Sequence, residues 1–246
     1  MNGLLFALQF LTRIPVWRNP EYSDKTQAES VPWFFAVGLV IGIALLVPAL
    51  IAEAELFEPA VAALVLVVTW IVVTGGLHLD GLGDCADGWM SGKSGEQLLN
   101  VMKDLQAGTG AIIAVPMLIL IKWICSWQLL IESQWVVFLV TPMIARAAVA
   151  VYLAKVSYFP DDGLGKSMHS GVHSRHVLVA IAVSALVVLV TSASLVLPVT
   201  LGTVCAVGIV HLTLTRRLGG ASGDIYGALI ETIEAFILLF VLIAVQ

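Results

Sequence analysis

The sequence has 246 residues, of which 59% are apolar and only 12% are charged. A soluble domain carries about 25% charged residues on average, so lipid must cover much of this chain, and a soluble globular protein is excluded. The formal charge of −5 predicts no nucleic-acid partner, and three cysteines without a CxxC spacing predict neither a disulfide framework nor a zinc site.

Seven segments come close to the roughly 20 apolar residues that a membrane-spanning helix needs. They are Val31–Ala52, Pro59–Gly75, Thr109–Ile131, Trp135–Val156, His176–Val196, Pro198–Thr215 and Ala228–Val245. The second and sixth are short, and the sixth also fits a re-entrant or tilted segment. A shorter apolar stretch, Leu4–Leu11, predicts an N-terminal interfacial or re-entrant segment. The sequence therefore predicts an all-α integral membrane protein, with about seven transmembrane helices in one bundle and a single domain over residues 1–246.

Basic residues alternate between the connections. They occur before the first segment and in the second, fourth and sixth connections, whereas the first and third carry only glutamates. The positive-inside rule then predicts that the N-terminus and the even-numbered connections are cytoplasmic and that the C-terminus is outside.

Two cations, Lys122 and Arg146, fall inside predicted spans, where a cation usually faces the bundle interior or a polar cavity. Snorkelling to the interface fits Lys122 equally well. Arg146 lies nearer the centre of its span, which favours a buried functional or paired role.

The strongest local feature is the stretch Thr74–Gly88, TGGLHLDGLGDCADG. It places Asp80, Asp84 and Asp87 at i, i+4 and i+7, which is one face if the stretch is helical. Clustered carboxylates repel one another unless a cation lies between them, and such hard oxygen ligands suit Mg²⁺ or Mn²⁺. His78 is placed to donate to a phosphate. The alternative is a solvated helix end with turn glycines, which does not explain why the acids directly follow a span on one face.

A second acidic cluster lies in the stretch Gly219–Glu231, GGASGDIYGALIE. Asp224 and Glu231 are seven residues apart, and Glu234 follows. Carboxylates that enter a membrane helix are costly and usually mark a site. For Glu231 and Glu234 the alternative is an acidic helix N-terminus stabilised by its own dipole.

Several cations accompany these acids. Lys103 precedes a glycine pair at the start of a span, where the helix N-terminus favours an anion; it is a phosphate candidate or a membrane anchor. Lys166 is the best phosphate candidate in the fourth connection, which otherwise fits a plain surface loop. His169, His173 and His176 form a poor zinc signature there. Arg13 is a topology anchor or a phosphate ligand, with equal support. Together these residues predict divalent-metal-assisted transfer at a phosphate or pyrophosphate, with one carboxylate accepting a proton.

Four stretches resemble the cobalamin synthase (adenosylcobinamide-GDP ribazoletransferase) family, in order and over nearly the whole chain. They are FLTRIP at Phe10–Pro15, GGLHLDGLGDCADG at Gly75–Gly88, KDLQAGTGA at Lys103–Ala111 and GGASGDIYGA at Gly219–Ala228. The resemblance implies a Mg²⁺-dependent enzyme of the bacterial inner membrane with a cytoplasmic active site. It implies that α-ribazole, or its 5′-phosphate, attacks adenosylcobinamide-GDP and that GMP leaves.

The resemblance and the residues together predict the site. The expected metal ligands, one of which could instead act as the base, are Asp80, Asp84, Asp87 and Asp224. A looser similarity to the DxxDG core of CDP-alcohol phosphotransferases favours Asp224 or a neighbouring acid as the base. The expected substrate contacts are Arg13, His78, Lys103, Arg146, Lys166 and Glu231. A homo-oligomer, or association with other corrinoid-pathway enzymes, is a further expectation.

Two alternatives remain. A CDP-alcohol phosphotransferase-like lipid enzyme would continue the acidic motif with GxxxDxxxD, but WMSGKSG follows Gly88 here. A transporter for a cation or corrinoid would place acids near mid-bilayer and repeat its halves, whereas the acidic clusters lie at one predicted membrane face.

Overall fold

The computed structural model describes residues 2–16, 20–160, 164–172 and 174–246. Asp161, Asp162 and His173 of the predicted fourth connection lie outside this part of the chain. Regular structure in the described residues is helical, apart from one bridge between Tyr158 and Ala221. The helices are α1 (Asn2–Leu11), α2 (Asp24–Ser30), α3 (Phe34–Glu53), α4 (Pro59–Thr74), α5 (Leu77–Met90), α6 (Gly95–Met102), α7 (Thr109–Ile131), α8 (Val136–Lys155), α9 (Leu164–Gly171), α10 (Ser174–Thr191), α11 (Val196–Val210), α12 (Arg216–Leu218) and α13 (Gly223–Val245).

Within the described residues, five helical runs are long and apolar enough to cross a membrane. They are Asp24–Glu53, Thr109–Ile131, Val136–Lys155, Ala193–Leu218 and Gly223–Val245. Helices α4 and α5 pass the same test only as a pair, which is bent by 90°. The predicted all-α membrane bundle is therefore confirmed, with five or six long spans, and the remaining predicted segment is the shorter apolar helix α10.

The predicted boundary between the fifth and sixth segments is wrong. Ser192 is extended, with φ −165°, so α10 ends at Thr191, and a 3₁₀ turn at Ala193–Leu195 begins the next helical run. That run continues through a π-helical turn to Leu218 and has 26 residues. Pro198 does not delay the start of this run. Proline lacks a backbone N–H, but in the first turn of a helix that N–H would have no intrahelical acceptor. The short segment of this pair is the fifth.

Glycines set the closest helix contacts in the bundle. A Cβ on Gly38 of α3 would lie 2.4 Å from the carbonyl oxygen of Pro142, and one on Gly42 would lie 2.3 Å from that of Leu139. Two small residues four positions apart let membrane helices approach backbone to backbone, so α3 packs directly on α8. Helix α13 is the centre of the bundle, buried along most of its length against α5, α7, α8 and α11.

The predicted connection after the second segment is not a plain loop, because it contains α5 and α6. Gly75 and Gly76 separate α4 from α5 with φ values of +68° and +71°, a left-handed conformation that glycine adopts without strain. Helix α5 has 14 residues, carries three carboxylates and runs at a right angle to α4. The bend between α4 and α5 places the acidic motif at one end of the bundle.

Candidate active site

Helix α5 crosses the start of α13 at very close range. A Cβ on Gly81 would lie 2.8 Å from the backbone oxygen of Asp224, and one on Gly227 would lie 3.3 Å from the Cα of His78. The glycines of both acidic motifs thus permit the crossing. As a result Asp80 and Asp84, on α5, lie near Asp224, close enough for the charges of Asp80 and Asp224 to act on Asp84. Glu231 and Glu234 of the second predicted acidic cluster do not join this group.

The carboxylates of this cluster repel one another. Burial, together with the charges of Asp224, Asp80 and Asp87, raises the pKa of Asp84 to about 7. Lys103 lies close enough to Asp224 for its charge to act on that carboxylate. In the described residues no hydrogen bond is made to the side chain of Asp80 or Asp84. This arrangement favours a cation with a higher charge than a single lysine.

Asp87 has a structural partner. One carboxylate oxygen accepts the backbone N–H of Gly108 at 2.8 Å, and the other accepts that of Ala111 at 3.1 Å. These amides open α7, whose N-terminus carries partial positive charge. The anion that the sequence predicts at this helix N-terminus is therefore the protein's own Asp87. The role of Asp87 as a metal ligand stays a prediction.

Four buried charged side chains join α7, α8 and α13. The Lys122 ammonium donates to Glu231 at 2.6 Å and also to Glu234, while Arg146 pairs with Glu234. The same ammonium lies 4.4 Å from the centre of the Trp70 ring. Two cations and two anions make the network neutral, as buried charges require. Arg146 is thus buried and paired, as predicted, and Lys122 does not snorkel.

His78 lies between this ion-pair network and the carboxylate cluster. Its ring nitrogen Nδ1 lies 3.4 Å from Nη2 of Arg146, and the residue also lines a cavity at the α5–α13 crossing. Arg146 and Glu231 do not line that cavity. The structure therefore places these two predicted substrate contacts in the network that supports the site.

The cavity has a volume of about 260 Å³. Asp80, Asp224 and His78 lie at its wall, together with residues of α1, α3, α8 and α9. Most of the lining is apolar, and it includes four aromatic residues that the sequence analysis missed: Phe10, Phe34, Tyr158 and Tyr226. A signal existed, because Phe10 and Tyr226 belong to two of the four motif stretches.

Two predicted phosphate contacts lie near this cavity. The backbone N–H of Arg13 donates to the carbonyl of Val73 at 2.7 Å. The side chain of Arg13 packs on Gly75, where an added Cβ would lie 2.3 Å from Nε of the arginine. Lys166 is exposed on α9, and its neighbours Gly165 and Met168 line the cavity wall.

No group of three or more His, Cys, Asp or Glu residues in the described part of the chain is close enough to hold a metal ion. This is compatible with a magnesium site that a substrate completes, because Mg²⁺ in phosphate-transferring enzymes is usually bound by one or two carboxylates, water and substrate phosphates.

The fold and the site define a multi-pass membrane protein with a carboxylate cluster and an aromatic cavity at one end of a helical bundle. The chain belongs to the family described as cobalamin-5-phosphate synthase, whose sequence profile matches residues 3–242. It is 38% identical to an adenosylcobinamide-GDP ribazoletransferase of Brevibacillus brevis over 242 residues, which is 97% of each protein. It is 38% identical to one of Alkalilimnicola ehrlichii, covering 97% of this chain and 94% of the relative. It is 32% identical to one of Stutzerimonas stutzeri, covering 97% and 96%. No solved structure matches.

Proposed function

We infer that this chain is an adenosylcobinamide-GDP ribazoletransferase, which joins adenosylcobinamide-GDP to α-ribazole or its 5′-phosphate and releases GMP. This is the final assembly of the cobalamin nucleotide loop. The observation that carries the inference is the full-length match to the family in a chain whose two acidic motifs meet at one helix crossing.

Mg²⁺ fits the donor set at this crossing. Asp80, Asp84 and Asp224 supply hard oxygen donors, and burial together with the charges of its carboxylate neighbours raises the pKa of Asp84, which supports a cation at this position. We propose that two of these carboxylates and the diphosphate of the substrate would hold the ion, with Asp87 as a further candidate ligand. When bound, Mg²⁺ would polarise the phosphate and neutralise the charge that develops on it.

The side chains of the protein have three tasks in the proposed reaction. A carboxylate, with Asp224 as the first candidate, accepts the proton of the attacking ribose hydroxyl. A new O–P bond forms at the cobinamide-side phosphorus, and the P–O bond to the GMP phosphate breaks with its electron pair. Lys103, whose charge acts on Asp224, is proposed to bind the phosphates together with Arg13 and Lys166.

The alternation of basic residues supports a bacterial inner-membrane location with the active site facing the cytoplasm. An alkaline phosphatase fusion after Gln246 tests the orientation. The fusion is expected to be active, because the C-terminus is predicted outside; an inactive fusion whose green fluorescent protein counterpart is bright would reverse the topology.

The activity is tested with the purified protein in lipid nanodiscs, supplied with Mg²⁺, adenosylcobinamide-GDP and α-ribazole. Equal amounts of GMP and cobalamin are expected. Absence of GMP, in a preparation where one of the curated relatives is active, would overturn the inference. Release of CMP from a CDP-alcohol would favour the lipid-enzyme alternative.

A further inference from the structure

The cavity beside the carboxylates has the size and lining of a site for a small planar aromatic group. Its volume of about 260 Å³ is below the roughly 300–1,000 Å³ of pockets for drug-sized ligands, so it is too small for a corrin macrocycle. A bicyclic base fits such a volume. The volume of the cavity therefore excludes the corrin ring of the other substrate.

The aromatic residues of the wall lie in two stacked pairs. The rings of Phe10 and Phe34 have centroids 6.5 Å apart and planes 27° apart. Those of Tyr158 and Tyr226 are 6.4 Å and 23° apart. Rings at such distances attract each other in offset stacking. A flat aromatic ligand that packs against these rings gains the same interaction without needing polar partners.

Apart from the aromatic rings and the polar residues at the helix crossing, the wall is mainly aliphatic. Val149 and Leu153 of α8 and Met168 of α9 are buried and line the cavity. Apolar area removed from water contributes about 25 cal/mol per Å², so this wall favours a base with methyl groups. Guanine fits this aliphatic part of the wall less well, because N–H donors placed against it would lose their hydrogen bonds to water.

Within the described residues, two buried polar atoms of the wall residues lack a hydrogen-bond partner, the hydroxyl of Tyr226 and Nε2 of His78. The hydroxyl of Tyr226 is buried and makes no hydrogen bond within the described residues, although a buried O–H without an acceptor costs about 1–3 kcal/mol. A benzimidazole joined to ribose through one ring nitrogen has a single acceptor, the other nitrogen, and no donor. The Tyr226 hydroxyl can therefore donate to that nitrogen, and the base brings no N–H donor that would need a further acceptor.

We propose that this cavity binds the dimethylbenzimidazole base of α-ribazole and that it selects bases by size and apolar character. The assignment rests on the proposed function, because that function supplies the ligand. With the base in the cavity, the ribose hydroxyl lies towards Asp80 and Asp224, which line the same cavity. The corrinoid diphosphate then approaches the carboxylates from outside the cavity.

The kinetic test is to fill the cavity with Leu153→Phe and to measure KM for each substrate separately. The KM for α-ribazole is expected to rise at least about tenfold, while the KM for adenosylcobinamide-GDP stays within about twofold. The increase should be smaller for the riboside of benzimidazole, which lacks the two methyl groups. Equal increases for both substrates, or an increase for the corrinoid alone, would overturn the proposal.

An isosteric variant covers the case in which Leu153→Phe does not fold. Tyr226→Phe removes one oxygen, so the fold is expected to persist and the KM for α-ribazole to rise about tenfold, the equivalent of one hydrogen bond. An unchanged KM for α-ribazole in Tyr226→Phe would show that Tyr226 does not bind the base. An unchanged KM for α-ribazole in a folded Leu153→Phe protein would show that the cavity is not the binding site.

A binding measurement separates this proposal from the proposed function. Calorimetric titration of the wild-type protein with α-ribazole needs no corrinoid and no turnover. Binding that Leu153→Phe weakens would support the cavity assignment even if GMP release failed. Cobalamin formation with α-ribazole binding unaffected by either variant would leave the function intact and overturn the assignment.

Discussion

Lys122 of α7 donates to Glu231 of α13 at 2.6 Å, and both side chains are almost completely buried. The interaction joins two helices through residues that are 109 positions apart in sequence. Removal of one partner of a buried ion pair leaves an uncompensated charge, at a cost of about 3–5 kcal/mol. The pair is therefore expected to be essential to the bundle, although neither residue lines the cavity.

Replacement of Lys122 by Met is expected to lower the free energy of unfolding by about 3–5 kcal/mol, because Glu231 loses its partner while Arg146 still compensates Glu234. The double change Lys122→Met with Glu231→Gln should recover most of the loss, because no unpaired charge remains. Denaturant-induced unfolding in detergent micelles measures both.

The matched control is Lys25→Met, since the ion pair that Lys25 makes among the described residues, with Glu29 at 3.9 Å, is exposed. Its stability should stay within about 0.5 kcal/mol of wild type. If the double variant were no more stable than Lys122→Met, the pairing of Lys122 with Glu231 would not explain the loss.

Asp84 and Asp87 are expected to differ in what their removal changes. Asp87→Ala deprives two backbone N–H groups of α7 of their acceptor, so it should cost about 1–3 kcal/mol of stability. Asp84→Asn relieves repulsion among carboxylates, so its stability should equal or exceed that of wild type. Its transferase rate should fall about 100-fold or more, because a charged ligand or base is lost.

Unfolding midpoints and GMP release, measured on the same two preparations, provide the comparison. A stable and fully active Asp84→Asn protein would remove Asp84 from the site. A stable Asp87→Ala protein would show that the α7 amides find water or another acceptor instead.

Removal of divalent metal tests the proposed magnesium site. EDTA is expected to abolish GMP release and Mg²⁺ to restore it, because the carboxylate cluster and the substrate diphosphate need a cation between them. Asp80→Asn should raise the Mg²⁺ concentration for half-maximal rate, since one hard oxygen ligand is weakened. Full activity in EDTA after extensive dialysis would contradict the assignment of these residues to a metal.

The carboxylate cluster could be predicted from the sequence because it depends on short-range spacing within two similar glycine-rich stretches. Asp80 and Asp84 share a helix face by their spacing, and Asp224 lies in a second stretch with the same glycines. The aromatic wall could not be predicted in this way. Phe34 and Tyr158 lie on separate elements, and only the packing of α3 and of the bridge at Tyr158 brings them to the cavity.

The helical state of the acidic motif was predicted only conditionally, since the stretch also fitted a connection. Glycine costs about 1 kcal/mol in a helix, and Gly81, Gly83 and Gly88 all lie in α5. Close tertiary contacts, which only glycine permits, stabilise the helix at these positions despite this low helix propensity. Gly81 approaches the Asp224 backbone, and a Cβ on Gly88 would lie 2.7 Å from Leu98. These contacts depend on partners that no local pattern reveals.

The α5–α13 crossing can itself be tested through Gly81. An alanine is a better helix former than glycine by about 1 kcal/mol, but its Cβ would lie 2.8 Å from the backbone oxygen of Asp224, so the two helices must separate. Gly81→Ala is therefore expected to insert into the membrane and to lose at least about tenfold in transferase rate, because Asp80 and Asp84 move away from Asp224.

Gly208→Ala on α11 is the control, since a Cβ there meets nothing within 4 Å. It should keep the wild-type rate and gain slightly in stability. A Gly81→Ala protein with wild-type activity would show that the distance between the two acidic motifs does not limit the reaction.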